Sequence, residues 1–174
     1  DAGLFRITVP RRLGGDEVDI ATKMRITSTV AEADGATGWV LALTTVCHWL
    51  VGLYADEAQQ EIFGADPDAR VCGVLTPSLE TRREDGGLVI SGRWPWASGS
   101  LHAQWAACGI HMNDERGAVA NFGLSLMPMD QLTVEDTWFM AGMKGTGSNT
   151  IVARDVFVPS HRFLPYPPAF EGHY

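Results

Sequence analysis

Residues 91–100 read Ser91-Gly92-Arg93-Trp94-Pro95-Trp96-Ala97-Ser98-Gly99-Ser100, directly after the apolar run Leu88-Val89-Ile90. A strand that only filled a core would use Val, Ile or Leu. This one carries two wide aromatic faces, small hydroxyls and a proline that cannot donate to a sheet ladder. Indole supplies a wall, serine and backbone N–H groups supply hydrogen bonds, and glycine allows close approach. That combination suits a flat ligand with a polar edge. The competing reading is an edge strand whose tryptophans plug the core.

Working outward from it, residues 71–75 read as a strand, and residues 81–84 and 88–94 flank Asp85-Gly86-Gly87, a hairpin signal. Downstream, 104–112 and 118–127 flank the polar stretch 113–117, a second hairpin. Residues 132–138 follow, and 150–158 end at Pro159. Six or seven strands at short spacing, with no helices between them, predict a small antiparallel barrel or sandwich over residues 67–164. Residues 1–66 read as helical. Leu4-Phe5 ends one helix; Asp16, with Asp19 three residues on, caps a second that runs to about residue 35. Thr37 caps a third over about 38–54, apolar on every side and so expected to be buried all round. A short helix over 56–63 stops at Gly64. Pro165-Tyr166-Pro167-Pro168 terminates structure, and 165–174 reads as a linker. The fold class is α+β, a helical N-terminal segment followed by a β-domain.

The 174 residues are 45% hydrophobic and 20% charged, ordinary for a globular chain, and 13 basic against 21 acidic residues give 13 − 21 = −8. An acidic surface argues against nucleic acid, since a binder must present a basic patch to phosphate. Cys47, Cys72 and Cys108 are odd in number, widely spaced and in apolar company, which reads as reduced thiols in a reducing compartment. The five histidines show no metal-ligand spacing, so no metal site is expected. No secretory leader is visible, and the most apolar run, 39–53, is too short and too interrupted to span a bilayer. A cytoplasmic protein without membrane contact is expected.

Four segments in the same order resemble the acyl-CoA dehydrogenase-like flavoproteins: Leu4-Phe5 with Val9-Pro10-Arg11-Arg12-Leu13-Gly14-Gly15; Leu75-Thr76-Pro77-Ser78; Gly92-Arg93-Trp94-Pro95-Trp96-Ala97-Ser98-Gly99; and Gly145-Thr146-Gly147-Ser148-Asn149-Thr150 leading into Val156-Phe157-Val158-Pro159. Each alone is weak, but together they run in register along nearly the whole chain. The family also carries a C-terminal helical bundle, to which nothing in this sequence corresponds. The Trp-Pro-Trp-Ala-Ser-Gly form and the His48-Trp49 pair look like the oxygenase components of two-component flavin-dependent monooxygenases. In these a separate reductase supplies reduced FMN (FAD being the alternative). O2 then adds at flavin C4a, and the hydroperoxide hydroxylates an aromatic or amine small molecule. A homotetramer follows from the same resemblance.

Carried over residue by residue, Trp96 matches the tryptophan beside the isoalloxazine ring and Ser98 the hydroxyl that bonds flavin N5. Thr76 and Ser78 match the strand at the flavin's other edge. Ser148 lies in the segment that the resemblance sets at the rim of the flavin or substrate cleft. Gly145–Thr150 is no phosphate loop, because it lacks the GK[ST] ending and leads into a strand. His48 stands in an apolar helix, where an unpaired imidazole is costly, so it must have a partner. That partner is either a substrate hydroxyl, oriented or deprotonated by His48, or a backbone carbonyl in the core. Ser98 likewise could be a turn serine bonding its own backbone. Two other functions remain open at this stage. One is an FAD-dependent acyl-CoA dehydrogenase with its carboxylate base beyond Tyr174, and the other is a non-catalytic interaction module that kept the fold.

Overall fold

Asp34 is the pivot of the N-terminal half. In the computed structural model, which describes residues 2–77, 80–113, 119–166, 169 and 171, α1 (Ile20–Ala33) ends at this residue and α2 (Gly35–Val51) begins from it. Its carboxylate accepts from the backbone N–H of Thr37 at 2.7 Å and from the Thr37 hydroxyl at 2.6 Å. Asp19 does the same for α1, accepting from the Thr22 N–H at 2.8 Å. Both caps therefore differ from expectation. Asp16 and Thr37 have capping chemistry, but the acceptor in each case is an aspartate three residues before the amide it binds. The two helices then fold back on each other at Gly38, where an added Cβ would come within 2.5 Å of the Ala31 Cβ. Before α1 the chain makes two 3-10 turns, Leu4–Arg6 and Arg11–Leu13, rather than the end of a longer helix. The short α3 (Asp56–Phe63) follows.

Eight strands then build two sheets: β1 (Val71–Val74), β2 (Glu80–Glu84), β3 (Gly87–Ala97), β4 (Trp105–Asn113), β5 (Val119–Pro128), β6 (Thr133–Glu135), β7 (Asn149–Pro159) and β8 (Phe163–Pro165). One sheet has the order β1-β4-β5-β8 and the other β2-β3-β7-β6. The expected hairpins are present, β2–β3 across Asp85-Gly86 and β4–β5 across 114–118, the latter loop lying outside the described residues. Two features differ from the sequence reading. β8 is an additional strand, and β1 pairs with β4 in parallel, Val71 opposite Trp105 through Val74 opposite Cys108. Between β1 and β4 the chain crosses to the second sheet and back, so β4 enters from the same end as β1. Residue alternation carries no record of strand direction.

The layers are helices, first sheet, second sheet. Val51, Tyr54, Ile62 and Phe63 pack on Val71, Ala107, Leu124 and Leu126, and Cys72, Ala106, Cys108 and Ile110 pack on Ile90, Trp94, Ile151 and Val158. β4 is thus covered on both faces, which is why its centre is the run of small residues Ala106-Ala107-Cys108. Trp94 ties the two sheets together, its indole N–H donating to the Gly109 carbonyl at 2.8 Å. The three cysteines are free and buried, and burial pushes the Cys47 thiol up to about 12. α2 is not buried all round: Trp39 and Trp49 are about half exposed. Among the described residues no helix is long and apolar enough to cross a membrane.

Candidate flavin-facing site

β3 pairs with β7, past one register shift between Ile90 and Gly92, as far as Trp94 opposite Ile151, and the next pair is Ala97 opposite Asn149. Three steps on one strand against two on the other make a bulge at Pro95-Trp96, where proline's missing N–H costs the ladder nothing. The bulge separates the two tryptophans. Trp94 is fully buried, while Trp96, at φ 65°, stands 70% exposed. A positive φ on a bulky aromatic residue is strained, and strain of this kind gathers at ligand sites. The sequence offered a ligand wall and a core plug as alternatives; Trp94 takes the second part and Trp96 is free for the first.

Ser98, next but one after Trp96, is buried at the back of a cavity of about 390 Å³. The lining comprises Trp39 and Leu43 from α2, Trp96 and Ser98 from the β3 end, Trp138 and Met143 from the β6–β7 connection, and Thr146 and Ser148 just before β7. All eight are neutral, so this lining offers indole faces and hydroxyl dipoles but no acid or base. The polar groups form one continuous chain. The Trp39 indole N–H donates to Ser98 Oγ at 3.1 Å, Ser98 Oγ lies 2.7 Å from Ser148 Oγ, Ser148 Oγ lies 2.6 Å from Thr146 Oγ1, and the Thr146 hydroxyl donates to the Met143 carbonyl at 2.9 Å. The outer wall is held by backbone and side-chain donors: Asn149 Oδ1 accepts from the backbone N–H groups of Thr137 and Trp138 at 3.0 and 3.1 Å, and the Trp138 indole donates to the Met143 carbonyl at 3.1 Å.

Of the residues singled out in the sequence, Trp96, Ser98 and Ser148 meet here. Thr76 is exposed in the loop after β1 and does not line this cavity; Ser78 lies outside the described residues. His48 stands apart. It is nine residues from Trp39, two and a half helical turns, and so on the opposite side of α2. Its Nδ1 donates to the Phe5 carbonyl at 2.7 Å, its Nε2 accepts from the Val71 N–H at 3.3 Å, and its ring meets Phe63 edge-on at 5.2 Å. Complete burial lowers its pKa to about 4, opposed only in part by the Phe5 and Ala69 carbonyls. Both ring nitrogens thus meet backbone groups, the second of the two kinds of partner weighed for His48.

Trp39, Trp138 and Thr146 were not picked out from the sequence. The first two sit in apolar runs where core packing is the default reading. Thr146 lay inside the glycine-rich segment, but its role needs the partners that folding supplies. A larger cavity, about 490 Å³, lies where α1 and α2 meet the N-terminal loop, among Thr8, Val18, Lys23, Thr45 and Trp49. Of the residues singled out in the sequence, Trp49 of the His48-Trp49 pair lines it, but none of the predicted site residues does. The fold also brings ligand atoms of Glu57, Glu61 and His161 within 4.8 Å of one another, a proximity that spacing could not reveal. There the Arg162 guanidinium already binds Glu61 at 2.6 Å.

Comparison with known proteins accords with this geometry. Residues 1–65 match the acyl-CoA dehydrogenase N-terminal domain family. The chain is 38% identical over 166 residues to the flavin-dependent monooxygenase oxygenase subunit HsaA of Mycobacterium tuberculosis, covering 95% of this chain and 42% of that protein. It is 37% identical over 171 residues to the oxygenase component of the FADH2-dependent resorcinol hydroxylase of a Rhizobium species, covering 98% and 42%. The crystal structure of 3-HSA hydroxylase from Rhodococcus sp. RHA1 superposes with a TM-score of 0.95 at 34% identity, covering 98% of this chain and 44% of that one. The chain therefore spans less than half the length of these relatives. Within that span, the chain shares the helices-then-β-domain fold of these proteins and is similar to them in sequence, and residues 1–65 match the acyl-CoA dehydrogenase N-terminal domain family.

Proposed function

We propose that this chain is part of the oxygenase component of a two-component flavin-dependent monooxygenase, working with a separate flavin reductase and as a homo-oligomer to hydroxylate an aromatic small molecule. The observation that carries the reading is the pairing of an outward-turned Trp96 with a buried hydroxyl, Ser98, at the back of a neutral cavity walled by indoles. A reduced flavin fits those residues: an isoalloxazine has a wide apolar face for indole and a polar edge for the hydroxyl chain. Reduced FAD leads over reduced FMN, because the resorcinol hydroxylase is named for FADH2 and matches 98% of this chain.

Bound there, reduced flavin supplies the electrons for O2, one oxygen atom going to the substrate and the other leaving as water. Trp96 stacks on the ring. Ser98 would accept from N5–H and so keep that proton in place. No base is contributed by the cavity residues, so a base for the substrate hydroxyl must come from outside them. His48, locked to Phe5 and Val71, acts on this reading as a staple joining α2 to the N-terminal loop and to β1.

The test uses the protein as its gene encodes it. Under anaerobic conditions it is titrated with FADH2 and FMNH2, then aerated with a reductase, NADH, and resorcinol, indole-3-acetate or an amino sugar. A product heavier by one oxygen, formed only with reduced flavin and O2, is expected. Failure to bind either reduced flavin would overturn the assignment, and oxidation of an acyl thioester instead would select the dehydrogenase.

A further inference from the structure

The hydroxyl chain behind the cavity has a direction, and its two ends fix it. An indole N–H only donates, so Trp39 gives its hydrogen to Ser98 Oγ; a carbonyl only accepts, so Thr146 gives its hydrogen to Met143. With that hydrogen committed, Thr146 Oγ1 can bond Ser148 only by accepting, at 2.6 Å. Ser148 has then used its hydrogen and must accept from Ser98 at 2.7 Å. Every hydroxyl hydrogen is therefore engaged along the chain, in the direction of the Met143 carbonyl. Ser98 meets a ligand with its one remaining lone pair and has no hydrogen to offer.

We propose that Thr146 and Ser148 are positioning residues that bias Ser98 toward accepting, so that the site selects a flavin carrying a hydrogen on N5 over one with a bare N5. The inference rests on the assignment of Ser98 to flavin N5 made above. Reduced flavin has an N5–H donor and matches the lone pair. Oxidised flavin has an N5 lone pair and faces another. To serve the oxidised form, all three hydroxyls must reverse, Ser98 donating to N5, Ser148 to Ser98 and Thr146 to Ser148. Of the chain's hydrogen bonds only the one from Thr146 to Met143 is then lost, since the Trp39 bond survives the reversal. The preference that this device contributes is therefore the worth of one neutral hydrogen bond, about fivefold in affinity.

The experiment is anaerobic titration of the full-length protein with FAD and FADH2, read as the ratio of the two Kd values, in wild type, Thr146→Val, Thr146→Ser and Ser148→Ala. Thr146→Val deletes the link to Met143 and lets the chain reverse freely, so the ratio favouring FADH2 should fall about fivefold. Thr146→Ser restores the hydroxyl and should hold the ratio within about twofold of wild type. Ser148→Ala frees the Ser98 hydrogen directly and should lower the ratio in the same direction, which keeps the test available if Thr146→Val does not fold. A structural role alone would weaken both redox states together and leave the ratio unmoved. Ratios unchanged in both Thr146→Val and Ser148→Ala, with wild type still binding flavin, would overturn the relay alone. Wild type binding neither form would instead overturn the site assignment on which it rests.

Discussion

Acidification should destabilise this protein through His48, and the size of the effect follows from its surroundings. The ring is fully buried, with Nδ1 bonded to the Phe5 carbonyl and Nε2 receiving the Val71 N–H. Burial lowers its pKa from 6.5 to about 4. Between those two values the unfolded chain binds a proton that the folded chain does not, so stability falls as pH falls. The contribution is complete above about pH 6.5, drains away at about 1.4 kcal/mol per pH unit, and is exhausted near pH 4. The total is about 3 kcal/mol, of the order of a third of an ordinary domain's stability. His48→Asn supplies the control: its amide retains a donor for Phe5 but does not titrate. At pH 7 it should be less stable than wild type by about 2–4 kcal/mol, through the lost Val71 bond and the space left beside Phe63. As pH approaches 4, wild type should lose most of that advantage. Urea unfolding followed by tryptophan fluorescence, repeated across the range, measures both, and carboxylates common to the two proteins cancel in the difference. Parallel stability profiles would refute the argument. Equal stability at pH 7 combined with lost hydroxylation would return His48 to the substrate.

Two further substitutions separate packing from ligand binding. Trp94→Ala should cost about 3–5 kcal/mol, since the side chain is fully buried and bonded to Gly109. Trp96→Ala, two residues on, should leave the denaturation midpoint nearly unchanged and weaken reduced-flavin binding about tenfold, the worth of one aromatic stack; a stability loss matching that of Trp94→Ala would show the bulge assignment to be wrong. Gly38→Ala opposes two effects: alanine favours the helix by about 1 kcal/mol, while its Cβ would press on Ala31 at 2.5 Å, an overpacking cost of about 1–3 kcal/mol. The clash should win, and Ala31→Gly in the same chain should recover part of the loss, which a double-mutant cycle by thermal melting would measure.

What the sequence disclosed and what it withheld divide along a physical line. Features that depend on a few neighbouring residues were legible: Asp85-Gly86 as a hairpin turn, the short helix that ends before Gly64, the apolar runs of β3 and β7. Features that depend on how distant segments meet were not. The parallel pairing of β1 with β4 is set by the path between them, and the site's hydroxyl chain joins Trp39 to Ser98 across 59 residues of sequence and Ser98 to Ser148 across 50. His48 shows the boundary most clearly. Its apolar helix required a partner, and the sequence could state that requirement but not choose between a substrate and the Phe5 carbonyl, 43 residues away. Ser98 is the complementary case. Its neighbours Pro95 and Trp96 announced a ligand wall, yet whether its hydroxyl donates or accepts is decided by the Met143 carbonyl, three hydrogen bonds away. A motif can therefore single out a hydroxyl while the direction of its hydrogen bonds depends on residues that the motif does not contain, and for Ser98 those are Thr146 and Ser148.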